Sequence, residues 1–457
     1  MLFNGAQITV KKSCFKGIGA LSAAMLGVSA LALAPVIASA SSLDVKSAKA
    51  AVDKDLDADY PHLDALYKDI HAHAELGFQE HRTAAILAKE MRSLGYEVTE
   101  GVGQTGIVAV LKNGAGPTVL VRTELDALPL QEKTGLPYAS QNKQTVNGVE
   151  TYVDHACGHD IHMAVWVGVA RVMSTMKDRW QGTVVFIGQP AEETIGGASA
   201  MLKDGLLTRF PKPDLGFGLH VGPSAYGEVA YKSGVSTSNS DSFEILFKGR
   251  GGHGSMPSMT IDPIVESARF VVDVQTVISR EKDAAAFGVI TVGSIHAGNA
   301  GNIIPDQATL RGTIRSYTPE VRSRLIEGLE RTARGEAAIS NAPEPQISVV
   351  SGGRAVVNDA AITQKTAKVF KAAFGDQAVE FTSPGAASED YSEYIIAGVP
   401  SLFFSIGGAD PAAVAAAKAG GKPVPINHSP YFAPVPEPTI RTGVEAMSLA
   451  LFNTLHR

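Results

Sequence analysis

Thr183-Val184-Val185-Phe186-Ile187-Gly188-Gln189-Pro190-Ala191-Glu192-Glu193 passes from an apolar run through a glycine and a proline into two adjacent acids. A short apolar run bounded by turn-forming residues reads as a strand buried on both faces. Similar runs stand at Ile107–Leu111, Thr118–Thr123 and Leu215–Val221, and helical spacing occupies His62–Ile70 and Thr83–Leu94. Strands alternating with helices predict an α/β fold on a mostly parallel sheet. In such folds sites gather beyond the carboxyl ends of the strands. Glu192 and Glu193 follow one such end, and His220 sits at another.

Downstream the pattern changes. Phe243–Lys248 alternates as a strand, and Asp262-Pro263 supplies an N-cap and first-turn proline for a helix to about Arg280. Val289–Ile295 and Ala308–Ser316 read as strands, Thr318-Pro319-Glu320 opens a helix to about Arg334, and Gln346–Val350 closes the unit. This β-α-β-β-α-β order is the ferredoxin-like split arrangement. The expected domains are therefore a catalytic α/β domain in two parts, 41–234 and 352–457, with a lid or dimerisation domain inserted at 235–351. Residues 41–59, rich in Ala, Lys and Asp, read as a loose leader.

The first forty residues read as an address. Lys11, Lys12 and Lys16 precede an uncharged stretch from Gly17 to Ile37 that ends in Ala38-Ser39-Ala40. A basic segment, an apolar segment and a small-x-small ending make a secretory signal, with cleavage expected after Ala40 and a periplasmic or secreted product. The competing reading is an uncleaved membrane anchor, since the stretch is long enough to span. Cleavage removes Cys14 and leaves Cys157 as the single cysteine, so no internal disulfide can form. At 457 residues, with 45% hydrophobic and 19% charged residues, the chain is neither disordered nor fibrous. A net charge of −6 argues against nucleic acid as a partner.

Reactive side chains cluster at the junctions. His155-Ala156-Cys157-Gly158-His159-Asp160-Ile161-His162 places a thiol and an imidazole two residues apart. Such a pair can reach one metal ion or a close pair of ions, and Cys and His suit zinc-type sites; a buried free cysteine is the plainer reading. Glu192 and Glu193 could divide the work of metal ligand and proton acceptor, or form a solvated acidic turn. His220 is a ligand or a hydrogen-bonded core histidine, and Asn427-His428-Ser429-Pro430 is a ligand loop or simply a turn. On the strand Ala308–Ser316, Arg311, Thr313 and Arg315 share one face.

Eight segments occur in one order: His71–Leu76, Arg122–Pro129, His155–Asp160, Gln189–Glu193, Gly218–Val221, Gly251–Gly254, Gly301–Pro305 and His428–Pro430. That order resembles the amidohydrolase branch of the aminoacylase/carboxypeptidase metallopeptidases, which includes hippurate hydrolases, N-acyl-amino-acid amidohydrolases and auxin-conjugate hydrolases. The resemblance covers nearly all of residues 61–450. It implies two divalent metal ions, zinc or manganese with cobalt or nickel as substitutes, bridged by Cys157 and completed by His159, Glu193, His220 and His428. It implies Glu192 as general base and His253 as the contact to the substrate carbonyl, reaching across a dimer in some relatives. Asn302 and Arg315 would grip the substrate carboxylate, for which a guanidinium offers a two-pronged fit.

The expected activity is hydrolysis of N-acyl or N-aroyl amino acids to a carboxylic acid and a free amino acid. The partners expected are the small-molecule substrate and a second copy docked through the inserted domain. Two rival readings share much of the pattern: a dipeptidase or carboxypeptidase of the same superfamily, and an exported solute-binding protein without catalysis. Ala74, Glu124, Asn427 and Tyr391 depart from the branch's usual proline, aspartate, histidine and phenylalanine. None of the four is expected to touch a ligand, so they bear on specificity alone.

Overall fold

In the computed structural model, which describes residues 43–146 and 148–456, the strand Gly182–Gln189 lies third in an eight-stranded sheet. The order is Glu97–Val102, Gly106–Asn113, Gly182–Gln189, Thr118–Glu124, Leu215–Ala225, Ser401–Ala409, Val229–Tyr231 and Ala378–Glu380. The four central strands run parallel, and the strands next to them on either side, Gly106–Asn113 and Val229–Tyr231, join them antiparallel. Both faces are covered, as the unbroken apolar runs require. Val184 and Phe186 belong to the larger core with Trp166, Phe217, Phe404 and Leu451, whereas Val185 and Ile187 belong to a second core with Leu120, Met201, Tyr394 and Phe403. The period of two along one strand thus feeds two layers.

Helices Val45–Ala72, His159–Thr175 and Pro436–Leu455 pack against one another and contribute to the larger core. The first of them corrects the loose leader expected over 41–59. Asp44 caps this helix by accepting from the Ser47 N–H at 3.1 Å, and Ala48, Val52 and Leu56 place a buried residue at every fourth position. The helical spacing expected from His62 thus continues an existing helix, and Pro61 lies inside it. The signal and cleavage expectations fall on residues 1–40 and lie outside the described residues. Among the described residues no helix is long and apolar enough to cross a membrane.

Residues 239–351 form the second layer system. Strands Asn239–Lys248, Gly288–Ala297, Gln307–Ser316 and Gln346–Ser351 make an antiparallel sheet in which Gly288–Ala297 is an edge. Helices Pro263–Asp273 and Pro319–Ile339 cover one face around Phe243, Phe247, Phe270, Leu310 and Leu325. The first helix ends at Asp273 rather than near Arg280, where a separate wide turn, Val277–Glu281, follows.

Candidate metal centre

The carboxyl ends of the parallel strands and the loop after them bring six predicted side chains together: Cys157, His159, Glu192, Glu193, His220 and His428. Gly158, at φ 88°, caps the helix that begins at His159. A Cβ there would stand 2.4 Å from Val221 Cγ1, so glycine is required for the loop to pass this close to the neighbouring strand. Cys157 Sγ lies 3.4 Å from His220 Nε2 and 3.3 Å from His428 Nε2. His428 Nε2 lies 3.4 Å from Glu193 Oε2, and His159 Nε2 lies 3.9 Å from Glu193 Oε1 and 4.0 Å from Glu192 Oε2.

Outer hydrogen bonds aim these rings. His159 Nδ1 donates to the Asp126 carbonyl at 2.7 Å and His220 Nδ1 to the Val221 carbonyl at 2.8 Å, which leaves both Nε2 lone pairs facing the sulfur and acids. The backbone N–H of Glu193 donates to Asp126 Oδ2 at 2.9 Å, so one aspartate anchors both a histidine and an acid of the group. Asn427 Nδ2 donates to the carbonyls of Cys157 and Val221, and the His428 N–H donates to the Ala156 carbonyl at 2.8 Å.

The donor set fits divalent metal. His159 Nε2 and Glu193 Oε1 are buried without a hydrogen-bond partner, an arrangement that costs free energy unless something sits between them. Burial opposes charge on His159, yet the Asp126 bond and the charge of Glu124 hold its pKa up at about 10. Burial and the adjacent His162 push His220 down to about 3, keeping it a neutral donor. One sulfur, three imidazoles and a carboxylate form a zinc-type set.

Glu192 is set apart from Glu193 by its surroundings. Burial, then the charges of Glu389 and Glu193, push the Glu192 carboxyl well above its ordinary range. Against burial, the His428 bond and the charge of His159 hold Glu193 below it. Two neighbouring acids with opposed shifts are suited to different tasks.

Residues with no role assigned from sequence complete the surroundings. Arg122 is fully buried, pairing with Glu124, with Glu389 at 2.7 Å and with Asp390 at 3.2 Å, while its guanidinium carbon lies 5.8 Å from the centre of the Tyr391 ring. Glu124 also accepts from His162 Nδ1 at 2.9 Å and offers an oxygen within 4.8 Å of the ring nitrogens of His159 and His220. The expectation that the departing residues stay clear of the ligands is therefore corrected: Glu124 adjoins two of them, and Asn427 holds the backbone of a third. Of the other histidines in the 155–162 run, His155 is buried with neither ring nitrogen partnered, and His162 Nε2 accepts the Val221 N–H at 2.8 Å.

The remaining three site predictions stand on the inserted unit. His253 is exposed and pairs through its backbone with Ile303, while the Gly254 N–H donates to the Asn302 carbonyl at 2.9 Å, so His253 and Asn302 share one corner. Arg315 is half-buried on its strand, its guanidinium donating to the Ile314 carbonyl at 3.2 Å. The hydrogen bonds of these three residues stay within the inserted unit.

Comparison with known proteins gives this geometry its context. The chain is 38% identical over 328 residues to a hippurate hydrolase of Campylobacter jejuni, spanning 70% of this chain and 82% of that one. It is 34% identical over 345 residues to thermostable carboxypeptidase 1 of Saccharolobus solfataricus, spanning 74% and 84%. A solved dinuclear metal-binding peptidase of the M20 family from Bacillus subtilis superposes with a TM-score of 0.71 at 27% identity, spanning 87% and 99%. Residues 120–448, which carry every side chain of the centre, match the profile of Peptidase family M20/M25/M40. The expected resemblance to the amidohydrolase branch is thus met, the non-catalytic reading falls away, and this hydrolytic enzyme belongs to peptidase family M20/M25/M40.

Proposed function

We propose that this enzyme is an exported amidohydrolase that uses two divalent cations to cleave N-acyl or N-aroyl amino acids. The observation that carries the reading is the convergence of Cys157, His220 and His428 within 3.4 Å of the sulfur, with the buried base candidate Glu192 alongside. Cys157, His159, Glu193, His220 and His428 would hold the cations, which when bound acidify water and stabilise the developing oxyanion. Glu192 takes a proton from the attacking water and returns it to the departing amine nitrogen. The amide C–N bond breaks, giving a carboxylic acid and a free amino acid.

Asn302 and Arg315 would bind the amino acid's carboxylate, and His253 would donate to the scissile carbonyl. Because the hydrogen bonds of all three stay in the inserted unit, we infer that a second copy brings a lid to the site. The edge strand Gly288–Ala297, with Val289 and Ile295 exposed, offers its unpaired side for such docking. The hippurate hydrolase among its relatives favours an aroyl-glycine type of substrate, and the carboxypeptidase favours a peptide.

A panel of N-benzoyl and N-acetyl amino acids and dipeptides, assayed for released amine with Mn²⁺, Co²⁺ or Zn²⁺, tests the reading. Faster turnover of acylated amino acids is expected. Selective cleavage of dipeptides would move the enzyme to the peptidase side of the family. Export is tested by amino-terminal sequencing of the protein from the extracytoplasmic fraction: a start at Ser41 is expected, and a full-length cytoplasmic protein would contradict it.

A further inference from the structure

A second cluster lies behind the loop that carries Cys157 and His159. His71 sits in the last turn of helix Val45–Ala72 and is 3% exposed. Its Nδ1 contacts Asp160 Oδ2 at 2.6 Å and its Nε2 contacts Glu132 Oε2 at 3.2 Å. Asp154 is 1% exposed and adds a third donor: one ligand atom each from His71, Glu132 and Asp154 lie within 4.8 Å of one another. None of these three residues belongs to the centre described above.

We propose that His71, Glu132 and Asp154 bind a third divalent cation of the zinc class, which fastens the ligand loop to the first helix and to the 132–140 loop. Three features carry this assignment. The Asp160–His71 bond leaves Nε2 directed at two carboxylates, the arrangement in which an outer acid orients a metal-binding imidazole. The 3.2 Å spacing of His71 Nε2 and Glu132 Oε2 matches two neighbouring ligands of a tetrahedral ion, which stand about 3.3 Å apart for bonds of about 2.0 Å. Asp154 Oδ2 is buried without any hydrogen-bond partner. An unpaired buried carboxylate oxygen is costly, and a cation would satisfy it.

The rest of the pocket is already fixed. Glu132 is held by the Thr134 hydroxyl and by the Ser140 N–H at 2.5 Å, so it would need little reordering to ligate. Burial, and then Glu132, push the Asp154 carboxyl up to about 7, while against burial Asp160 and Glu132 hold His71 at about 10. On entry the ion takes the place of any protons held between His71 Nε2 and the two carboxylates. A doubly charged ion replacing two protons leaves the buried net charge unchanged.

Zinc content after chelation, reloading with Zn²⁺ and gel filtration tests the site without reference to activity. Asp154→Asn and Glu132→Gln should each hold one zinc ion fewer per chain than the wild type, and Cys157→Ala should keep this ion. Equal zinc in Asp154→Asn and wild type would overturn the proposal. A loss in Asp154→Asn with none in Cys157→Ala would leave this site standing and sink the two-cation centre instead. Should the variants fail to fold, anomalous diffraction at the zinc edge on the wild type decides: a peak between His71, Glu132 and Asp154 is expected, and its absence overturns the site.

Discussion

Asn427 Nδ2 donates to the carbonyl of Cys157 at 3.0 Å and to that of Val221 at 3.1 Å, tying together at one point the three segments that carry Cys157, His220 and His428. Its neighbour His428 sits at φ 68°, a left-handed conformation that the surrounding bonds must sustain. The side chain beside the ligand therefore sets where the ligand stands.

Asn427→Ala keeps every proposed donor atom and removes only this tie. Loss of an outer hydrogen bond of this kind lowers metal affinity by about 10–100-fold. Competition against a chromophoric chelator measures it, and an unchanged affinity would show that the His428 loop is held by its backbone alone.

Arg122 is a buried cation facing Glu124, Glu389 and Asp390. Arg122→Leu should destabilise the fold by about 3–5 kcal/mol, because it strands buried carboxylates, not because the ion pairs themselves are strongly stabilising. Urea unfolding reads this directly. A change within about 0.5 kcal/mol would mean that the acids take up protons without cost.

The sheet, the strands and helices of residues 239–351 and the side chains that converge were legible because each leaves a local mark: apolar runs between turns, Asp-Pro and Thr-Pro helix starts, and acids or histidines just past a strand; the roles proposed for those side chains came from the resemblance. The first half of Val45–Ala72 was hidden by its many Ala, Lys and Asp residues, which read as a loose leader although the charges stand on the helix's exposed side. Arg122, Asp126 and Asn427 were visible as residues but not as roles. Their partners lie up to 270 positions away, and nothing in the spacing says which acid meets which base. Glu124 shows the limit most plainly, since its distance from the ligands is set by the strand pairing of Thr118–Glu124.

The inserted unit carries its own pH dependence. Glu266, fully buried with neither carboxylate oxygen bonded, is pushed by burial, and then by Asp262, from 4.5 to about 7. The folded state binds the proton more tightly than the unfolded chain does. Its contribution to stability is therefore present below about pH 4.5 and is lost as pH rises to about 7. Glu266→Gln should raise the melting temperature at pH 8, by roughly 2–4 °C for each kcal/mol relieved, and change little at pH 4.5. An equal gain at both pH values would remove ionisation as the cause.

A lid supplied by a second copy has a distinctive signature. His253→Ala and Glu192→Gln should each be nearly inactive alone, yet dissociated and reassociated together they should recover activity in mixed dimers that pair one intact lid with one intact base. No recovery, with mixed dimers shown to form, would place His253 over the centre of its own chain.

The most direct test of the centre is electron paramagnetic resonance of the Asp154→Asn protein during stepwise loading with Co²⁺. The first ion should give a high-spin signal with a thiolate-to-cobalt absorption band. The second should diminish that signal, because an ion sharing the Cys157 sulfur couples magnetically to the first, and Cys157→Ala should abolish both the band and the coupling. Two additive, uncoupled signals, or a band that persists without Cys157, would contradict a cation pair bridged by this cysteine.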